Sequence, residues 1–270
     1  MIEMRTGSSR IRTAFARAAA ERRAALVVYL VAGYPTLAES RALVSAAARA
    51  GADIVELGVP YSDPIADGFV IQQAAQVALR QGVGPRHCLA LVAELRRSGV
   101  DAPLLLMGYY NPIYQWRVPD YARACQQAGV DGLIVPDLPL EEAGALEAAC
   151  RGEGLALVGL VAPSTPPERM SSIAEHSSGF VYVVSRPGTT GAREHLPAGW
   201  AAYVAQVRAA SSAPIALGVG IATPAQAQEA ARLADGVVVG SALVERAGRG
   251  GEAVAELVAE LREACRRVGS

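Results

Sequence analysis

Eight short apolar runs, each followed by a stretch of helical length, restrict the fold of this 270-residue chain more than any other feature. The runs cover residues 26–32, 54–57, 104–107, 132–135, 155–161, 180–184, 215–217 and 236–239. They are continuous rather than alternating, as expected of strands buried on both faces. The spacing predicts helices over 37–50, 71–81, 85–98, 119–128, 141–153, 166–176, 199–210, 224–232 and 253–267, with an extra helix over 9–22 before the first strand. Several begin on proline or an acidic residue, which suits a first helical turn. Strict alternation of strand and helix implies parallel strands joined by right-handed crossovers. Eight units imply a (β/α)8 TIM barrel in the α/β class with an extra N-terminal helix. A doubly wound open sheet is the competing architecture. No Pro-, Gly- or Ser-rich linker divides residues 1–270, so one domain is expected.

Internal repetition agrees. Gly51-Ala-Asp-Ile-Val-Glu-Leu-Gly58, Gly129-Val-Asp-Gly-Leu-Ile-Val-Pro136 and Leu233-Ala-Asp-Gly-Val-Val-Val-Gly240 share one outline of helix end, aspartate and buried strand. Their spacing fits two units with an insertion, then four plain units.

Composition excludes several function classes. With 51% hydrophobic and 19% charged residues the chain has the makings of a core rather than of disorder. A net charge of −1 provides no global footprint for nucleic acid or an anionic membrane. No uncharged apolar run approaches the ~18 residues of a membrane span, and residues 1–23 lack the apolar core of a secretory signal. A cytoplasmic location is expected. All 25 basic residues are arginine, so the chain supplies no Schiff-base lysine. Four cysteines and three histidines form no CxxC and no zinc spacing. Reduced thiols and no metal are expected.

In a barrel of this kind, chemistry sits at the C-terminal ends of the strands. Glu56 lies in the apolar run Ile-Val-Glu-Leu of strand two, either as a barrel carboxylate paired with an arginine or as a buried acid whose raised pKa suits proton transfer. Asp67 follows in a loop with two prolines and Gly68, as a second carboxylate or a turn residue. Asp63, before Pro64, reads as a turn residue. Gly218 and Gly220 after strand seven, and Gly240-Ser241 after strand eight, let backbone N–H groups approach an anion at the fold's usual phosphate site. Gly240-Ser241 is expected to open the last helix. The Gly- and Thr-rich segment 185–193 after strand six is long enough for a lid, and Thr190 and the Gly191 N–H could reach the same phosphate; a plain surface loop is the alternative. Tyr29 and Tyr182 are substrate walls or core packing. Asp137 and Glu141 read as helix caps. His195 has no partner that the sequence identifies.

The run from Gly51 to Gly68 resembles the signature of the tryptophan synthase alpha subunit family. The likeness continues through Ala32-Gly-Tyr-Pro-Thr36, Tyr109-Tyr-Asn-Pro112, Val135-Pro-Asp-Leu-Pro139, Leu160-Val-Ala-Pro163, Thr190-Gly191, Gly218-Val-Gly-Ile221 and Val239-Gly-Ser-Ala242, across nearly the whole chain and in order. The resemblance implies retro-aldol cleavage of indole-3-glycerol phosphate to indole and glyceraldehyde 3-phosphate. It places the catalytic carboxylates on Glu56 and Asp67, the aromatic contacts on Tyr29 and Tyr182, and the phosphate contacts on Gly191, Gly220, Gly240 and Ser241. It implies no cofactor in this chain, and an α2β2 assembly with a beta subunit that carries pyridoxal phosphate and meets this chain around Pro60, Asp63 and Asn111-Pro112. Phe69, Val219, Tyr29, Tyr61 and the Gly188-Thr-Thr-Gly191 lid depart from the family's usual residues. They bear on substrate fit and coupling more than on reaction type. Two other functions stay open: a stand-alone indole-releasing lyase, and a non-catalytic barrel serving as a regulatory partner.

Overall fold

The computed structural model of the chain describes residues 6–185, 196 and 199–267. Its eight strands are β1 Ala25–Val31, β2 Ile54–Gly58, β3 Leu104–Met107, β4 Gly132–Ile134, β5 Ala156–Val161, β6 Val181–Val184, β7 Ile215–Gly218 and β8 Gly236–Val239. Helix α1 (Gly7–Ala20) precedes them. Helix α2 (Leu37–Ala50) follows β1, α3 (Phe69–Arg80) and α4 (Pro85–Arg97) follow β2, and α5 (Tyr110–Trp116) and α6 (Val118–Ala128) follow β3. Then come α7 (Gly144–Gly152), α8 (Pro167–His176), α9 (Trp200–Ala210) and α10 (Pro224–Leu233), one after each of β4 to β7. Helices α11 (Ser241–Ala247) and α12 (Gly251–Ala264) follow β8.

All neighbouring strands pair in parallel, and β1 pairs with both β2 and β8, so the sheet is a closed barrel rather than an open one. Successive side chains point alternately inward and outward. One set, including Val27, Ile54, Leu105, Ile134, Val158 and Val238, fills the barrel. The other packs against the surrounding helices. The extra helix has a specific place in this arrangement. Ile11, Ala14, Phe15 and Ala18 of α1 recur at helical spacing and join the interior cluster, so α1 plugs one end of the barrel. Phe15 meets Phe180 at 5.5 Å between ring centroids.

The repeated aspartates tie the N-terminal ends of strands together. Asp53 accepts the Leu26 N–H, Asp131 the Leu104 N–H and Asp235 the Ile215 N–H. Each therefore holds the foot of an odd strand against the even strand that follows. The β5–β6 pair does the same with Ser178, whose hydroxyl accepts the Leu157 N–H at 2.8 Å. Guanidinium groups neutralise the acids: Arg23 and Arg17 at Asp53, Arg96 and Arg10 at Asp131, and Arg208 at Asp235. The four cysteines are buried and form no disulfide.

Three expectations need correction. Helix α5 lies where none was expected. Pro112 is tolerated in the first helical turn, where its missing N–H costs nothing, and the Asp137 carboxylate, from the loop after β4, accepts the Tyr110 N–H. Asp137 is thus a cap, but of a helix distant in sequence; Glu141 pairs with Arg169 at the surface instead. The helix expected over 141–153 is a 3-10 turn, Leu140–Glu142, followed by α7. Gly240-Ser241 opens the short helix α11 and not the last one, because Gly248 to Gly250 break the path before α12. No helix among the described residues is long and apolar enough to cross a membrane.

Candidate active site

A cavity of about 480 Å³ opens at the C-terminal ends of the strands. Tyr29 of β1, Tyr182 of β6, Gly218 of β7 and Val238 of β8 form its walls, and Asp67 lies at its rim. Two glycines make room for the aromatic walls. A Cβ on Gly58 would lie 2.0 Å from the Tyr29 hydroxyl, and one on Gly218 would lie 2.6 Å from the Tyr182 ring. Both tyrosines are therefore set by tight backbone approach and also face the cavity.

Glu56 sits in β2 in register between Tyr29 of β1 and Leu105 of β3. It shares the inward parity of Ile54, one pleat below the end of the strand. Its side chain is fully buried, and neither carboxylate oxygen has a hydrogen-bond partner. The arginine pairing that a buried barrel glutamate would need for stability is not there among the described residues. Desolvation alone pushes its pKa up to about 8, so the protonated acid predominates near neutrality. Its charge and that of Asp67 both oppose ionisation of Tyr29 and Tyr182, which puts the four groups within one electrostatic neighbourhood.

Asp67 has a different environment. Burial pushes its pKa up to about 6, opposed by a hydrogen bond donated by the Tyr109 hydroxyl at 3.0 Å. It is therefore mostly ionised at pH 7 while Glu56 is mostly protonated. Two carboxyls with pKa values pushed apart have the arrangement of an acid and an electrostatic partner. Tyr109 also accepts the Ala66 N–H at 3.0 Å and stacks on Tyr61 at 4.9 Å. The Gln72 side chain donates to the Asp67 carbonyl at 2.9 Å, tying the loop to the first turn of α3. Asp67 is thus more than a turn residue, since its carboxylate is aimed and held.

Sequence reasoning did not assign Tyr109 to the site. Its signals were its place two residues beyond the end of β3 and its membership of the Tyr109-Tyr-Asn-Pro112 segment of the family resemblance. Removing its hydroxyl in Tyr109→Phe deletes a donor that favours the ionised acid, so the midpoint of Asp67 ionisation should rise above about 6. A carboxyl-carbon NMR titration of the Asp67 side chain would read the shift directly, and an unmoved midpoint would contradict this account.

Gly220, Gly240 and Ser241 line the other side of the same cavity. Gly220 has φ +78°, a left-handed conformation that favours glycine. The first turn of α11 has no side-chain cap, leaving the N–H groups of Ser241 and Ala242 open to an anion. The structure thus brings Glu56, Asp67, Tyr29, Tyr182, Gly218, Gly220, Gly240 and Ser241 to one end of the barrel. Thr190, Gly191 and His195 lie outside the described residues; of the segment after β6, Ser185 lines the cavity. Phe69 stands at the cavity mouth, while Val219 is buried in the core. Of the residues expected to meet a partner, Asp63 and Asn111 are exposed and Pro60 is buried. Asp63 also serves its loop as a turn residue, its carbonyl accepting the Ile65 N–H at 2.9 Å.

Comparison with known proteins points the same way. Residues 15–269 match the family model described as tryptophan synthase alpha chain. The tryptophan synthase alpha chain of Roseiflexus sp. is 49% identical over 236 residues, which cover 87% of this chain and 90% of the relative. That of Chloroflexus aurantiacus is 48% identical over 241 residues, covering 89% and 91%. A solved structure of Mycobacterium tuberculosis tryptophan synthase superposes with TM-score 0.91 at 41% identity, covering 96% of this chain and 99% of the other. The Legionella pneumophila alpha chain superposes with TM-score 0.87 at 35% identity, covering 97% and 98%.

Proposed function

The chain belongs to the tryptophan synthase alpha chain family, and from that premise we propose that Glu56 and Asp67 carry its reaction. That reaction is the cleavage of indole-3-glycerol phosphate to indole and glyceraldehyde 3-phosphate. The observation that carries the assignment is the contrast between Glu56, fully buried and unpaired in β2 beside the cavity wall Tyr29, and Asp67, tethered and ionised at the cavity itself.

The chemistry follows from that contrast. Protonated Glu56 delivers its proton to C3 of the indole ring, which becomes an indolenine cation. Asp67 accepts the ring N–H and stabilises the positive charge developing there. The Glu56 carboxylate then takes the proton of the side-chain hydroxyl next to the ring. The bond between indole C3 and the glycerol chain breaks, its electron pair returns to the ring, and the hydroxyl carbon becomes the aldehyde. Glu56 ends protonated, ready for another cycle. Tyr29 and Tyr182 flank the ring. The phosphate is held by backbone N–H groups of Gly220, Gly240 and Ser241, with Gly218 giving clearance, and the sequence assigns Thr190 and Gly191 to the same phosphate. This chain needs no lysine, metal or cofactor for these steps.

The partner is a beta subunit in an α2β2 assembly, and pyridoxal phosphate belongs to that subunit. A surface feature supports the pairing. The three large apolar side chains most exposed among the described residues, Ile65 (76%), Phe69 (72%) and Tyr114 (64%), all lie on the connections after β2 and β3. Apolar surface gathered in one region marks a protein–protein contact. The chain acts as a single barrel domain in the cytoplasm.

Indole release from indole-3-glycerol phosphate, measured with and without a beta subunit from the same source, tests this reading. Slow release accelerated by the partner supports it; fast release indifferent to the partner favours a stand-alone lyase; no release in either condition rejects the chemistry. The pH dependence is a second check. Activity requires ionised Asp67 and protonated Glu56, so kcat/KM should rise through about pH 6 and fall through about pH 8.

A further inference from the structure

A second groove, of about 470 Å³, lies at the opposite end of the barrel, between α1, α2 and the turn joining α4 to β3. Helix α1 presents Arg10, Thr13, Ala14 and Arg17 to it, a spacing that places them on one helical face. Helix α2 presents Ser45, Ala48 and Arg49, and Ala52 follows just beyond its end. The small alanine and serine side chains leave the space between the helices open. Three guanidinium groups therefore line the groove, against a single carboxylate, Asp101, whose side chain points almost wholly into solvent.

Two of these cations, Arg17 and Arg49, exceed what the neighbouring acids require. Both oxygens of Asp53 are already engaged by Arg23, and one also accepts the Leu26 N–H; Arg17 adds a further contact at 3.0 Å with a side chain that is 59% exposed. Arg10 is committed, its guanidinium reaching Asp131 at 2.8 Å, the Asp101 carboxylate at 3.2 Å and the Asp101 carbonyl at 2.6 Å. Arg49 has no hydrogen bond or ion pair among the described residues, and the Ser45 hydroxyl is likewise unused. The Thr13 hydroxyl, by contrast, donates to the Ser9 carbonyl.

We infer that this groove binds a phosphate group on a small molecule, gripped by Arg17 and Arg49. Guanidinium forks match phosphate oxygens two at a time, and the Ser45 hydroxyl supplies one more donor. A cavity of this size has room for an organic group attached to the phosphate. The site does not depend on the reaction assigned to the other end of the barrel.

Titration of the whole chain with inorganic phosphate, and separately with adenosine 5′-monophosphate, at ionic strength held constant with chloride, distinguishes the two sources of that group. Binding is read from the side-chain Nε–H resonances of Arg17 and Arg49 and from Tm. The inference requires saturable shifts at both arginines and a Tm rise of about 3 °C at ten times Kd. It also requires that Arg49→Glu weaken binding at least about tenfold, with indole release unchanged. Equal affinity for both probes identifies free phosphate as the ligand; tighter binding of the nucleotide identifies an organic phosphomonoester. Shifts that never saturate, indicating an adventitious ion only, or an unchanged Kd in Arg49→Glu, overturn it. Arg49 is exposed and unpaired, so this variant should fold.

Discussion

Glu56→Gln should lower kcat for indole release by about 10³-fold, within the range for loss of a general acid–base, while making the protein more stable at neutral pH. Glutamine keeps the shape and buries equally well, but it cannot deliver a proton to the ring or recover one from the hydroxyl. The gain in stability follows from the same burial. Folding raises the Glu56 pKa from the ordinary 4.5 to about 8, so the folded state binds the extra proton between those values. Stability contributed by this group is therefore complete below about pH 4.5 and is lost as pH rises through 8. Over that window the unfolding free energy of the variant should gain on that of the native protein by about 1.4 kcal/mol per pH unit. Denaturant midpoints at pH 5 and pH 8 would measure it. A variant with near-native turnover would remove Glu56 from the chemistry. A pH-independent stability difference would show that burial does not raise its pKa.

Asp67→Asn should cost about 10² to 10³ in kcat, the usual penalty for losing one charge-stabilising group at a developing ion. The amide is isosteric and can still accept from Tyr109, so the loop and the fold should persist. What disappears is the negative charge facing the ring nitrogen when the ring becomes cationic. The effect should fall on kcat more than on KM, because the ground-state ring is neutral. The limb near pH 6 should vanish from the residual activity, while the limb near pH 8, which belongs to Glu56, should remain. Single-turnover rates across pH 5 to 9 provide both tests. Persistence of the lower limb in this variant would assign it to another group.

Much of the architecture was legible because its signals are local. Each buried strand announces itself as a short apolar or β-branched run, and most helices as a longer stretch with apolar residues at helical spacing. Helix α5 escaped notice because its cap, Asp137, comes from a loop after the next strand. The division of α11 from α12 was missed for a different reason. Gly248 to Gly250 were visible, but an uninterrupted helix was also compatible with the flanking residues. Repetition exposed Asp53, Asp131 and Asp235, whereas Ser178 performs the same task with a different side chain and so broke the pattern.

At the candidate site, the sequence by itself singled out Glu56 within strand two and brought Asp67, Gly218, Gly220, Gly240 and Ser241 to strand ends. Element order and barrel polarity are sufficient for the strand ends, and a lone carboxylate in the apolar run Ile-Val-Glu-Leu marks Glu56. Tertiary structure alone decided that Glu56 has no counter-ion and that Tyr109, 42 residues away, restrains Asp67. Desolvation depends on everything packed around a group, and a hydrogen bond depends on where two distant segments of chain meet. Neither is a property of a sequence window. The proton-transfer properties of the two carboxyls therefore arise only once the barrel has closed.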